Sequence, residues 1–362
     1  MVSKGEGPKV FKVTGKWRVV VTITIIIGIT AMYRGVEGRS HEEKKLIRVE
    51  PSLELSTWVV DWQWKSSIED LREISKGLTS FQVFAAYFDE SDSLYYTEQM
   101  QEALPRIFET AKQSGLTEVD LTLVNDLIKK DGTEVQKDSD MITRLMSTDK
   151  SREKHIEEIL AAVMKYDFHG VEIDYEKIKD SDWDHVCAFY RELYQRLHAM
   201  DKSLRIVLES RMPIEKLQLP EGPAYVMMAY NLYGTHSGPG PKADLAFITK
   251  LAKRMDRLPG ENIIALSAGG FDWAEQGKVT AVTEKRAAEL SLQSVSSPKR
   301  DNASGSMYFD YIDDDHVRHT VWYADDVTIS QWMSTLRQRG YYKIAIWRLG
   351  GLGQLTIQEL NQ

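Results

Sequence analysis

The strongest constraint on how this chain can fold is an alternation that begins near residue 55. Short apolar runs rich in Val, Ile, Phe and Tyr take turns with longer segments whose apolar residues recur at helical spacing. Such a pattern predicts parallel strands joined by helical crossovers. The strand candidates are 56–62, 81–88, 118–124, 170–176, 205–209, 225–230, 263–268 and 343–347. Helical candidates lie at 67–76, 105–113, 151–165, 184–200, 242–257, 284–294 and 329–339, several followed by a Gly that suits a helix C-terminus. Pro105 is expected to open its helix, where its missing N–H costs nothing. Eight strands with intervening helices fit an α/β fold of the (β/α)8 TIM-barrel type better than an open doubly wound sheet, which more often has a Gly-rich phosphate loop after its first strand. No such loop follows here. Gly269-Gly270 and Gly350-Gly351-x-Gly353 lack its spacing, which argues against nucleotide binding.

Residues 274–325 break the alternation. They hold a helical run and two strand-like pieces, 307–312 and 316–323, around Asp313-Asp314-Asp315. That acidic triplet reads as a hairpin turn, because the EF-hand ligand spacing is absent. We expect a small α+β insertion between strands seven and eight that forms one wall of a cleft. Composition is that of a folded protein, 42% hydrophobic and 28% charged over 362 residues. The formal net charge of -8, with no basic stripe after residue 50, argues against a nucleic-acid partner. Cys187 is the only cysteine and reads as a buried structural thiol.

The first 50 residues differ from the rest. Lys4, Lys9, Lys12, Lys16 and Arg18 precede an uncharged run at 19–33 made mostly of Val, Ile and Thr. This pattern predicts an export signal or a membrane anchor, and so an exported protein that is secreted or membrane-anchored. The run is shorter than the ~20 residues a spanning helix needs, yet no Ala-x-Ala cleavage site follows it. Residues 34–50 read as a charged linker, and 51–362 as the barrel with its insertion.

Within the barrel, one stretch concentrates charge. In Phe168-His169-Gly170-Val171-Glu172-Ile173-Asp174-Tyr175-Glu176 the acids occupy every second position, and Val171, Ile173 and Tyr175 fill the places between. Period 2 is the repeat of a strand, so Glu172, Asp174 and Glu176 share a face. Crowded carboxylates repel, and one of them tends to hold a proton near neutral pH, as glycosidic cleavage requires. The alternative is an amphipathic edge strand with its acids in water. As the fourth barrel strand, however, the run would carry Glu176 to the C-terminal mouth where reactive residues gather, with Asp174 beneath it and Glu172 deeper.

These residues also carry a resemblance. His169-Gly170-x-Glu172-x-Asp174-x-Glu176 resembles the D-G-x-D-x-D-x-E signature of family 18 glycoside hydrolases, chitinases and peptidoglycan glucosaminidases among them, with the final Asp-x-Glu intact. Tyr225-Val-Met-Met-Ala-Tyr230-Asn231, the run from Ser267 to Trp273, His319-Thr-Val-Trp322 and Ile344-Ala-Ile-Trp347 are similar to later segments of that family, so the likeness covers about residues 55–362. It implies that Glu176 is general acid and then base, and that Asp174 orients the substrate's N-acetyl group. It further implies that Tyr230 hydrogen-bonds that group and Trp347 floors the sugar at the cleaved bond. Glu172 and Asn231, at further positions of that pattern, are counted among the substrate contacts, and Tyr87 and Arg211, at the mouths of strands two and five, are candidate cleft residues with core packing as the alternative. Three positions depart from the family pattern: His169 and Glu172 stand where it has Asp, and Asn231 replaces an Asp after the strand-six Tyr.

The resemblance implies a retaining, substrate-assisted enzyme for β-linked N-acetylglucosamine polymers, with peptidoglycan preferred over chitin and no cofactor. A saccharide-binding relative that does not cut is the alternative; such relatives typically lose the terminal Glu, present here as Glu176. A barrel glycosidase with two protein carboxylates would need a second acid, for which Glu209 is the obvious candidate. Trp58, Trp62 and Trp64 are either sugar platforms or core. His236, His316 and His319 lack metal-ligand spacing, so no metal site is expected.

Overall fold

Eight parallel strands close on themselves: β1 (Glu54–Val60), β2 (Ser80–Phe88), β3 (Glu118–Ile128), β4 (Gly170–Asp174), β5 (Ser203–Leu208), β6 (Ala224–Met228), β7 (Asn262–Ser267) and β8 (Lys343–Trp347). In this computed structural model, which describes residues 51–361, each strand pairs with its sequence neighbours and β8 returns to β1 through Glu54↔Lys343 to Thr57↔Ile346. The eight expected strands all form, in a (β/α)8 barrel. The basic segment and the run at 19–33 lie outside the described residues. Among the described residues no helix is long and apolar enough to cross a membrane.

Closure follows from strand parity. Leu204, Ile206 and Leu208 of β5 face the surrounding helices, whereas Arg205 and Val207 point into the barrel. In β4, Val171 and Ile173 join the outer layer, as does Tyr175 just beyond it, whose ring stacks on Phe189 and whose hydroxyl meets His155 at 2.8 Å. Glu172 and Asp174 therefore point inward. The edge-strand alternative does not apply, because β4 is flanked on both sides by β3 and β5.

The helices are α1 (Trp64–Ile74), α2 (Glu98–Ser114), α3 (Ser139–Met146), α4 (Asp149–Tyr166), α5 (Trp183–His198), α6 (Leu245–Met255), α7 (Glu284–Ser291), α8 (Asp326–Arg337) and α9 (Gln354–Leu360), all but α7 belonging to the barrel's outer layer. Thr97, Asp138, Thr148, Asp244, Thr283 and Asp325 cap six of them by accepting a first-turn backbone N–H. Several helix starts shift by a few residues from expectation, and two of the shifts bear on named residues. Thr97 opens α2 at Glu98, so Pro105 lies inside the helix; it is exposed there, and the carbonyl its ring leaves unbonded faces water. Asp244 opens α6 at Leu245, which leaves Lys242 outside that helix.

The lobe between β7 and β8 is an antiparallel sheet ordered Val279–Val282, Gly269–Ala274, Arg318–Ala324, Met307–Ile312, Lys299–Arg300, with α7 packed on it. It begins at Gly269, five residues earlier than expected. The chain turns from β7 straight into the sheet with Gly269 at φ 63, and a Cβ on Gly270 would sit 1.7 Å from the Trp322 carbonyl oxygen. Asp313 closes the expected hairpin turn by accepting N–H bonds from Asp315 and Val317. The Gly350–Gly351 run also has a structural use, since the N–H groups of Gly350, Gly351 and Leu352 converge on Asp70 Oδ2 at 2.8, 2.8 and 3.0 Å.

Candidate active site

The inward face of β4 builds the site from the bottom up. Glu172 is sealed below: Oε1 accepts from Trp58 Nε1 (2.6 Å) and Thr122 Oγ1 (2.9 Å), and Oε2 from Arg205 Nε (2.9 Å). With 0% exposure it cannot touch a ligand, so its expected place among the substrate contacts is corrected. Burial raises its proton affinity, opposed by the Arg205 charge. Asp174 stands one layer higher and lines the cavity, with its buried Oδ1 lacking any hydrogen-bond partner. Burial first, then the charges of Glu176 and Glu172, push its carboxyl well above the ordinary range. Glu176 follows at the mouth, also raised by burial, with Lys137 pulling the other way and Glu209 adding to the rise.

Three side chains that sequence reasoning missed or undervalued hold this turn. Asn125, in the last part of β3, brackets the backbone of Glu176: Oδ1 accepts its N–H at 2.9 Å, and Nδ2 donates to its carbonyl at 2.9 Å. Glu209, just past β5, accepts the Lys177 N–H at 2.9 Å and hydrogen-bonds the Glu176 carboxyl. Lys137 forms an ion pair with Glu176 Oε2. It reaches the site because β3 runs on to Ile128 and the chain returns as Glu134–Val135, pairing Leu127 with Val135. A strand ending at residue 124 would have hidden this hairpin. The visible signal was the turn sequence Asp131-Gly132 between Ile128 and Val135.

Asp174, Glu176, Glu209 and Lys137 line a cavity of about 790 Å³ at the C-terminal mouth of the barrel. Tyr230, past β6, is 7% exposed, and burial with the nearby Asp174 charge keeps its hydroxyl neutral as a donor. Trp347 ends β8 and meets Phe84 edge-on at 5.1 Å and Trp58 at 5.5 Å, forming an aromatic floor. Of the three tryptophans near β1, Trp58 is core at 2% exposure and Trp64 packs against the helix layer, while Trp62 stands 52% exposed on the cavity rim. Tyr87 lines the cavity and donates to Asp61 Oδ1 at 3.0 Å; Arg211 and Asn231 line it from the loops after β5 and β6. Thus Glu176, Asp174, Tyr230, Trp347, Tyr87, Arg211 and Asn231 come together.

His169 does not join them. It lies at the opposite end of β4, where Nδ1 approaches Asp120 Oδ1 at 3.3 Å. Nor does the lobe supply a lining residue, contrary to expectation; it braces the loop after β6 through Trp273 Nε1, which donates to the Ser237 carbonyl at 3.0 Å. Among the described residues no group of three or more His, Cys, Asp or Glu side chains is placed to hold a metal ion.

Comparison with known proteins bears on the family and the fold. The model of glycosyl hydrolases family 18 matches residues 135–351. An uncharacterized glycosylase, YvbX of Bacillus subtilis (strain 168), is 21% identical over 228 residues, 59% of this chain and 66% of its own. The cortical fragment-lytic enzyme of Bacillus cereus is 22% identical over 305 residues, 78% of this chain and 68% of its own. The match thus spans about two thirds of the length of these curated relatives. In fold, the chain is similar to the Bacillus cereus spore cortex-lytic enzyme SleL, with a TM-score of 0.72 at 18% identity over 86% of this chain and 74% of that one.

Proposed function

The chain belongs to glycosyl hydrolases family 18, and on that premise we propose that it is a retaining glycosidase that cuts β-linked N-acetylglucosamine polymers with help from the substrate's own acetamido group. The observation that carries this reading is the stacked pair Asp174 and Glu176, both with raised proton affinity, above the Trp347 floor and beside the Tyr230 donor. Asp174 Oδ1, buried and without a partner, is suited to take the acetamido N–H. The acetamido carbonyl oxygen, steadied by the Tyr230 hydroxyl, attacks the sugar carbon while Glu176 protonates the departing glycosidic oxygen. The resulting oxazolinium is opened by water, whose proton returns to Glu176, so the anomeric configuration is retained. A flat indole under the sugar buries its C–H face and excludes water. Glu209 is a poor protein nucleophile by comparison, because it hydrogen-bonds Glu176 directly rather than standing the ~5 Å away that a two-carboxylate retaining pair requires.

Peptidoglycan is the preferred substrate in this reading. The relatives named for cortex lysis support it. Such a substrate is met outside the cell membrane, in keeping with the export expected from 19–33. A second reading, saccharide binding without cleavage, draws on the Lys137 ion pair, since a cation at Glu176 favours its ionised form.

Assays on purified peptidoglycan and on N-acetylglucosamine oligomers separate these readings. Turnover with retained anomeric configuration, blocked by a thiazoline mimic of the oxazolinium, is the expected result; binding without turnover would favour the second reading. Because burial raises the Glu176 carboxyl, activity should persist above the ordinary glutamate range and fall on the alkaline side as Glu176 ionises. Trp62→Ala, which removes an exposed ring from the rim, should weaken oligosaccharide binding about three- to tenfold with kcat little changed, as read by calorimetry and initial rates.

A further inference from the structure

Glu176 is clamped. Its Oε2 is ion-paired with Lys137 Nζ, the two side chains being 16% and 35% exposed, so the contact is largely shielded from water. The lysine is delivered by the hairpin that follows β3. There Lys137 takes φ 57, a left-handed conformation that L side chains adopt at a cost, and its N–H donates to Asp126 Oδ1 at 2.7 Å. The hairpin thus holds a strained residue in the one turn that aims an ammonium at the proposed acid.

Charge arrives at Glu176 from every side. Asp174 and Glu172 lie below it on β4, Glu209 and Arg211 follow β5, Asp126, Glu134 and Lys137 come from the β3 hairpin, Tyr230 from β6, and Lys177 is its chain neighbour. Acids predominate, and burial adds to their effect in favouring the neutral carboxyl; Lys137 opposes both. A general acid must donate a proton, whereas a fixed ammonium stabilises the carboxylate. The two demands conflict unless the pair opens.

We propose that Lys137 is a positioning residue that pins the Glu176 carboxyl in the resting cleft and releases it when a saccharide is seated, so that Glu176 holds its proton more firmly in the complex. The proton comes from solvent. Lys137 keeps its charge and turns toward Asp126 and Glu134, which line the same wall. This inference rests on Glu176 acting as the acid and adds a reason for the strained turn. Outside the complex the clamp offsets part of the rise that burial and the neighbouring acids give this carboxyl, which couples chemistry to binding.

The test follows Glu176 directly. Carboxyl-13C glutamate labelling, with Glu176→Gln to assign the resonance, reads the protonation midpoint in wild type, Lys137→Met and Lys137→Arg without saccharide. Profiles of kcat and kcat/KM against pH are then measured on an N-acetylglucosamine oligomer. In Lys137→Met the Glu176 midpoint and the alkaline limb of kcat/KM should both rise by about one pH unit, while the alkaline limb of kcat, which reports the complex, stays in place. Lys137→Arg should match wild type. An unmoved Glu176 midpoint in Lys137→Met overturns the proposal, and so does a kcat limb that shifts together with that of kcat/KM. A wild type without turnover whose Glu176 midpoint still rises in Lys137→Met supports the clamp and overturns the glycosidase reading alone.

Discussion

Glu176→Gln is expected to lower the rate of hydrolysis by about 10²- to 10⁴-fold, the usual loss when a positioned acid–base group is removed. Gln is the same shape and offers an oxygen to Lys137, but it can neither give a proton to the glycosidic oxygen nor take one from water. The main chain at this position is held by Asn125 through both its N–H and its carbonyl, contacts that the side-chain change leaves intact. Binding of an N-acetylglucosamine oligomer should therefore stay within a few-fold of wild type while turnover collapses. Stability gives an independent check on folding. The Glu176 carboxyl is raised in the folded state, so its contribution is fully present below the unfolded value and is lost as pH rises through the folded one. The Gln variant should accordingly be no less stable than wild type on the alkaline side. Initial rates, calorimetric binding and urea unfolding measure the three quantities, and wild-type turnover in Glu176→Gln would remove Glu176 from the mechanism.

The path from sequence to this site was readable where periodicity and burial act together. Alternating Val171, Ile173 and Tyr175 against Glu172, Asp174 and Glu176 fixed the inward face of β4, because a strand between two neighbours in a barrel has only an inside and an outside. Trp347 at the floor was implied by the family resemblance rather than by parity. Lys137 and Asn125 were not readable, since their roles depend on how far β3 extends and on a hairpin whose register is set by cross-strand pairing rather than by composition. Pro105 misled because local propensity ranks it a helix opener, whereas the buried Met100, Ala103 and Leu104 anchor an earlier turn to the core. Glu172 was placed at the correct depth, but its ion pair was not foreseen. A charged Arg205 at an inward position of β5 was the signal that the barrel floor holds an ion pair.

That ion pair carries the largest expected effect on stability. Arg205→Met should destabilise the fold by about 3–5 kcal/mol, because it leaves the Glu172 carboxylate charged and unpaired in a site with 0% exposure. Glu172 would keep its bonds from Trp58 and Thr122 but lose the only cation bonded to it among the described residues. The cost should depend on pH in a defined direction. Burial already raises the Glu172 carboxyl in the folded state, against the opposing Arg205 charge, and removing that charge raises it further. A group with a raised folded value stabilises fully below its unfolded value and loses that contribution as pH climbs through the folded one. The variant should therefore be hurt most near about pH 8 and recover toward about pH 5, where Glu172 can hold a proton and sit in the barrel as a neutral acid. Adding Glu172→Gln to Arg205→Met should restore a good part of the loss at the higher pH, since no charge is then left uncompensated. Urea unfolding of the single and double variants at both pH values is the measurement. An Arg205→Met cost that is flat with pH would mean that Glu172 is already protonated in the wild-type barrel, and the floor beneath Asp174 would then carry no negative charge to help keep that acid neutral.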